Sequence, residues 1–110
     1  MFERGELLLV SFPFTDLSAT KRRPVLALME PEGYGDFIAL PVTSRPRVEH
    51  AVPLTSADML RGTVPAPSGI RTDRIVTLNE TLVVKSVGRV SVQVISRAVE
   101  DFCARIAYRG

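Results

Sequence analysis

The stretch Ser91 to Ala107, SVQVISRAVEDFCARIA, is where the sequence changes character. Val94, Ile95, Ala98, Val99, Phe102, Cys103 and Ile106 recur at intervals of three and four, so they share one apolar stripe of a helix. Ser91 is placed to cap it, and the spacing predicts a helix running to about Ala107. Arg97, Glu100, Asp101 and Arg105 fall on the other face. Pairs at those spacings contribute about 0.2–0.5 kcal/mol each. Cys103 lies on the apolar stripe and is expected in the core rather than as a nucleophile.

The chain upstream has a different period. Glu6 to Phe14, ELLLVSFPF, predicts a strand with Pro13 near its end. Thr15 to Arg23 is expected as a polar loop, and Pro24 to Met29 as a second strand opened by its proline. EPEGYG, residues 30–35, is turn chemistry, so Asp36 to Val42 makes a hairpin with that strand. Val48 to Leu54 is a candidate fourth strand. Thr55 to Gly69 is expected to be irregular, with one helical turn around Ala57 to Leu60, and connections of that length are often functional. Ile70 to Leu78 holds one or two strand pieces, Asn79 to Ser86 a candidate helical turn, and Val87 to Val90 a short strand. Short strands followed by one terminal helix describe a mainly β chain: a small barrel with a helical cover.

A chain of 110 residues, 45% apolar and 24% charged, has the makings of one globular domain, with no internal repeat. No apolar run approaches a membrane span, and the charged start MFERGE is not expected to act as a signal peptide. The lone cysteine makes no internal disulfide and suits a reducing compartment, hence the cytoplasm. A net charge of +2 is too small to argue for nucleic acid by itself. Twelve of the 14 cations are arginine, which suits phosphate through its paired donors, although a GC-rich genome produces the same bias.

Three clusters carry possible chemistry. Lys21-Arg22-Arg23 before Pro24 is either a phosphate clamp at a strand mouth or a solvated edge. Neighbours in an extended segment point to opposite sides, so Arg22 and Arg23 are not expected to face the same way. Thr43 and Ser44 close a strand, where hydroxyls either donate to a phosphate or 2′-OH or serve as ordinary turn residues. In Arg71-Thr72-Asp73-Arg74 the carboxylate is most simply a salt bridge to its flanking arginines. His50 is the only histidine, so no His pair exists for acid–base work. No metal-ligand cluster, Gly-rich phosphate loop or nucleophile motif is evident, and an enzyme built from this chain is expected to need no metal and no cofactor.

RGELLLVSFPFTD, KRRPVLAL, FIALPVTS, PSGIRTDRIVTLNETLV and VGRVS, in that order before the helix, resemble the MazF/PemK toxins of bacterial toxin–antitoxin pairs. The resemblance spans nearly the whole chain. It implies a small SH3-like β-barrel of the CcdB/MazF/PemK type with a C-terminal α-helix, acting as a homodimer. It also implies metal-independent, sequence-specific cleavage of single-stranded RNA, neutralised by a cognate antitoxin. The family's arginine before proline falls on Arg23, and its threonine closing PVT falls on Thr43, as catalytic residues. Ser18, Lys21, Arg22, Ser44, Arg45 and Arg74 are the accompanying RNA-binding candidates. The loop around Ser18 reads Leu17-Ser18-Ala19-Thr20 in place of the family's usual G-S-E-Q-like text. Two other readings stay open on the same fold: a CcdB-like poison of DNA gyrase that hydrolyses nothing, and a non-catalytic RNA-binding module.

Overall fold

Leu7, Leu26 and Leu40 stand directly opposite one another on three adjacent antiparallel strands, and the fold is built outward from that row. A computed structural model describes residues 2–12, 21–44 and 51–107, without the side chains of Phe12 and Lys21. Eight strands run in chain order: β1 Glu6–Phe12, β2 Lys21–Ala27, β3 Asp36–Thr43, β4 Ala51–Leu54, β5 Met59–Gly62, β6 Ser68–Arg71, β7 Val76–Asn79 and β8 Val83–Val90. Short 3-10 turns at Ser56–Asp58 and Glu80–Leu82 lead into β5 and β8, and helix α1 spans Val92–Ile106. The strands form one curled sheet ordered β4-β6-β3-β2-β1-β8-β5, with β7 also paired to β3. This is the expected mainly β half-barrel with one C-terminal helix.

The central strands are apolar runs because both of their faces are buried. Leu7, Leu26 and Leu40 join Val52, Leu54, Ile70 and the helix residues Val94, Ile95 and Ala98 in one core. Leu8, Val10, Val25, Ala27, Phe37 and Ala39 form the other, closed by Phe2, whose ring meets Phe37 edge-on at 4.6 Å. A strand with both faces covered loses the alternation of a half-solvated one.

Prolines mark where the sheet bends or ends. Pro41 lies between the last β3–β7 pair at Ala39 and the first β3–β6 pair at Val42, so that flank of β3 has no partner at its level. The strand changes partners there, and the sheet curls. Pro53 sits on β4, an outer strand. Pro24 corrects an expectation: β2 begins at Lys21, so the three cations belong to the strand and Pro24 lies inside it. The β2–β3 ladder starts only at Val25, leaving β2 with a partner on one side at Pro24, and a missing N–H is tolerated there.

Two other boundaries move. The irregular segment contains β5, which pairs with β8 through a register shift. Residues 83–86 extend β8 rather than forming a helical turn, which is confined to Glu80–Leu82. Helix α1 matches its prediction, and the Ser91 hydroxyl accepts the Val94 N–H at 3.3 Å. Its first turns are buried, but Cys103 is exposed and Ile106 is 65% exposed. The core therefore covers the start of the apolar stripe and not its end, and Cys103 is a surface residue.

Gly5 lets the helix close on the sheet. Its φ is +93°, its N–H donates to Ala27 and its carbonyl accepts from Val90. A Cβ there would stand 2.5 Å from Ile95 Cδ1. At the opposite end of β2 and β3 from the cations, the connecting turn exposes Glu30, Glu32, Tyr34 and Asp36, with Glu80 packed beside it. Among the described residues no helix is long and apolar enough to cross a membrane.

Candidate functional site

The ends of β2 and β3 frame a cavity of about 520 Å³. Arg22 and Arg23 enter it from β2, and Thr43 and Ser44 from the end of β3. Leu7, Leu9, Pro24 and Val42 line it beneath them. Residues 63–66, with Ser68 and Val87, close the far side. Leu7 and Val42 are buried, whereas Arg22, Arg23 and Ser44 are exposed, so an aliphatic depth lies behind a cationic and hydroxylic mouth.

Strand register explains how neighbouring arginines share one cavity. Arg22 pairs with Ser11, two residues along from Leu9↔Pro24, so it stands on the pleat face of the cavity floor. Arg23 pairs with Val10 and belongs to the opposite face. It reaches the same cavity because β2 has no β3 partner beyond Val25, so that flank is open. Extending the pairing Val25↔Pro41 by two residues brings Arg23 level with Thr43. The backbone of two strands, rather than a loop, thus sets the spacing between the guanidinium and the hydroxyl.

The far wall is held from below. Arg61, just before it on β5, donates to Glu6 at 3.3 Å, and the Ser86 hydroxyl donates to the same carboxylate oxygen at 2.7 Å. The Glu3 N–H donates to the other oxygen. Burial alone would raise the Glu6 carboxyl, but the Ser86 and Glu3 hydrogen bonds and the Arg61 charge outweigh it and hold the group below its ordinary range. Gly62 and Gly88 let β5 and β8 approach closely. A Cβ on Gly88 would meet the Arg61 carbonyl at 2.4 Å, and one on Gly62 the Val87 carbonyl at 2.2 Å.

Arg74 does not line the cavity. Its segment anchors the helix instead. Arg71 makes a two-point bridge to Asp73, at 3.1 and 2.7 Å. The Arg71 hydrogen bonds, against some burial, hold the Asp73 carboxyl low, with Arg74 adding a longer-range attraction. The fully buried Thr72 donates its hydroxyl to Asp101 and accepts from Arg105 Nε at 3.0 Å. Asp101 and Arg105, expected on the solvated face of α1, clasp this turn. Lys21 is the first residue of β2. Ser18, Arg45 and His50 lie outside the described residues. Among the described residues no three His, Cys, Asp or Glu side chains come together as ligands.

The cavity wall at 63–66, Ser68, and the floor residues Leu9 and Val42 were not singled out from sequence. The length of the 55–69 segment was the available signal. Small and aliphatic residues far apart in the chain carry no local mark of a shared site.

The sequence model of the family described as PemK-like, MazF-like toxin of type II toxin–antitoxin system matches residues 3–104. No curated protein gives a significant sequence match. Among solved structures, MazE–MazF (Form-II) from Deinococcus radiodurans is similar with a TM-score of 0.76 at 18% identity, over 94% of each chain. An endoribonuclease in complex with its cognate antitoxin, from a mycobacterial species, has a TM-score of 0.69 at 15% identity, over 93% of this chain and 89% of that one. Mycobacterium tuberculosis toxin MazF-mt6 has a TM-score of 0.67 at 18% identity, over 90% of this chain and 93% of its own. At these identities the likeness is one of fold.

Proposed function

Since the chain belongs to the PemK-like, MazF-like family of toxins of type II toxin–antitoxin systems, we propose that it is an endoribonuclease cutting single-stranded RNA at chosen sequences without a metal ion. The observation that carries this reading is the meeting of Arg22, Arg23, Thr43 and Ser44 around one cavity at the ends of β2 and β3. Guanidinium forks and hydroxyls are donors, and a phosphodiester is an acceptor with a negative charge.

The chemistry follows from what these groups supply. The RNA's own 2′-oxygen attacks the adjacent phosphorus, a P–O bond forms and the bond to the 5′-oxygen breaks. The products are a 2′,3′-cyclic phosphate and a 5′-hydroxyl. The 2′-proton leaves to solvent, and the departing oxygen takes one back. Alignment of the 2′-oxygen with phosphorus supplies part of the acceleration. Arg23 faces the charge that grows on the phosphoryl oxygens, and Thr43 donates to one of them. A guanidinium stays charged, so Arg23 acts by field and hydrogen bonds rather than as a base. Arg22, Lys21 and Ser44 dock the strand.

The protein acts as a homodimer in the cytoplasm and is silenced by a cognate antitoxin. The exposed helix residues Val92 and Ile106 offer apolar surface for association. An acidic antitoxin segment would answer the cationic mouth as RNA does.

Purified protein is incubated with mixed RNA in EDTA, and fragment ends are mapped. Cleavage at a restricted set of sequences is expected, falling by about 10²–10³-fold in Arg23→Ala, the cost of removing one transition-state donor. Intact RNA throughout, or cutting indifferent to Arg23→Ala, defeats the reading.

A further inference from the structure

We propose that the turn between β2 and β3 seats in the cavity of a second copy of this chain. Tyr34 enters the aliphatic depth, and Glu30, Glu32 and Asp36 meet Arg22 and Arg23 at the mouth. The junction itself stands on surface chemistry alone. Its consequence, that a cavity so filled is closed to RNA, rests on the RNA-cleaving reading of that site.

Tyr34 is a large ring held in water by a fixed backbone. The residue is 99% exposed. Beneath it, the Gly35 N–H donates to the Glu32 carbonyl and the Glu32 N–H to the Asp36 carbonyl, each at 2.9 Å. Asn79 Nδ2 donates to the Tyr34 carbonyl and to Asp36 Oδ1, each at 3.0 Å. The Glu80 N–H donates to the Gly35 carbonyl at 2.8 Å. Gly33 and Gly35, at φ of +54° and +97°, make the reversal that lifts Tyr34 outward. These bonds fix the backbone and leave the ring in solvent. An aromatic side chain carried on rigid backbone loses little freedom on binding, and its burial takes roughly 150–250 Å² out of water.

Charge and shape select the occupant. Glu30, Glu32 and Asp36 flank the ring and are exposed. Among the described residues no cation pairs with Glu30, Glu32 or Glu80. The surface that answers this turn is cationic at its rim and apolar within. The cavity is built that way, with Arg22 and Arg23 exposed at the mouth and Leu9, Pro24, Val64 and Ala66 behind them. Its volume of about 520 Å³ admits a phenol ring, and the Ser68 hydroxyl offers that ring's O–H a partner.

A chain's own turn cannot fill its own cavity. Arg23 lies four residues, about 13 Å of strand, from Ala27 at the turn end of β2, and pairing with β1 holds that strand extended. The contact therefore joins two different patches on two copies, head to tail. One turn in one cavity is a small interface, so it forms at high concentration and dissolves on dilution. RNA-cleaving activity per molecule then falls as the chain accumulates.

Sedimentation velocity of the full chain, without RNA, from about 10 µM to 1 mM tests the junction. The mean mass of wild type is expected to rise with concentration, and less so as salt goes from about 50 to 500 mM. Tyr34→Ala and Arg22→Ala are each expected to weaken association by about tenfold or more, once thermal melting shows both folded. Glu32→Lys, which keeps the ring, is expected to weaken it too. Mixing Tyr34→Ala with Arg22→Ala is expected to restore association, because one supplies an intact cavity and the other an intact turn. A mass that does not change with concentration overturns the proposal, as does a mixture no larger than its parts. Association lost in Arg22→Ala but kept in both turn variants gives the cavity to another segment and also overturns it. Cleavage per molecule is then followed over the same concentrations, where Tyr34→Ala is expected to match wild type when dilute and exceed it when concentrated. Association without any RNA cleavage keeps the junction and removes the enzyme. Cleavage lost in Arg23→Ala, with a mass independent of concentration, keeps the enzyme and removes the junction.

Discussion

Gly5 shows how much a single residue without a side chain can position. Its positive φ and the 2.5 Å approach of Ile95 Cδ1 to its missing Cβ leave no room for alanine. Gly5→Ala is expected to destabilise the fold by roughly 1–3 kcal/mol, measured as a lower urea midpoint. The cost appears at the α1–β1 seam, away from the cavity. Arg23 and Thr43 were named as candidates in the sequence by the family resemblance, and the structure lines one cavity with them. Leu9, Val64 and Ala66 were not, because an aliphatic residue looks the same in a core and in a pocket wall. Cys103 misled for a related reason: periodicity assigns a helical face, but not how far the neighbouring sheet extends beneath it.

At the level of elements, helix α1 is held at both ends of its buried half. Ser91 caps its start, and the turn after β6 grips its later part through Thr72. The Thr72 hydroxyl is fully buried between Asp101 and Arg105, so Thr72→Val removes a donor and an acceptor from charged partners at once. A loss of about 1–3 kcal/mol in unfolding free energy is expected, visible as a lower thermal midpoint. Hydrogen exchange should quicken first in the last turns of α1. Helix, early strands and hairpin could be read from period and turn chemistry. β5 could not, because its existence depends on two glycines meeting β8 far along the chain, and β2 began early because pairing with β1 overrode the polarity of Lys21, Arg22 and Arg23.

For the whole molecule, acid is the informative perturbation. Glu6 and Asp73 both have carboxyls held below their ordinary values of 4.5 and 3.8. A depressed carboxyl stabilises the fold above its unfolded value, and that contribution is lost as pH falls through the lower folded value. Stability from these two groups is therefore expected to be level between about pH 5 and 7 and to decline below. Glu6→Gln should be less stable at pH 7 and decline less steeply in acid, as read from urea midpoints across that range.

The exposed turn between β2 and β3 has a consequence of its own. No lysine or arginine occurs between Arg23 and Arg45, while Glu30, Glu32, Asp36 and Glu80 gather at that turn. Arg23 lies four residues, about 13 Å of strand, from the Ala27 end of β2, beyond which the acidic tip begins. That span exceeds the screening distance of about 8 Å at physiological salt. A polyanion consequently meets two different bodies according to its side of approach: one end turns it away, the other draws it in. Encounters are sorted by orientation before any base is touched.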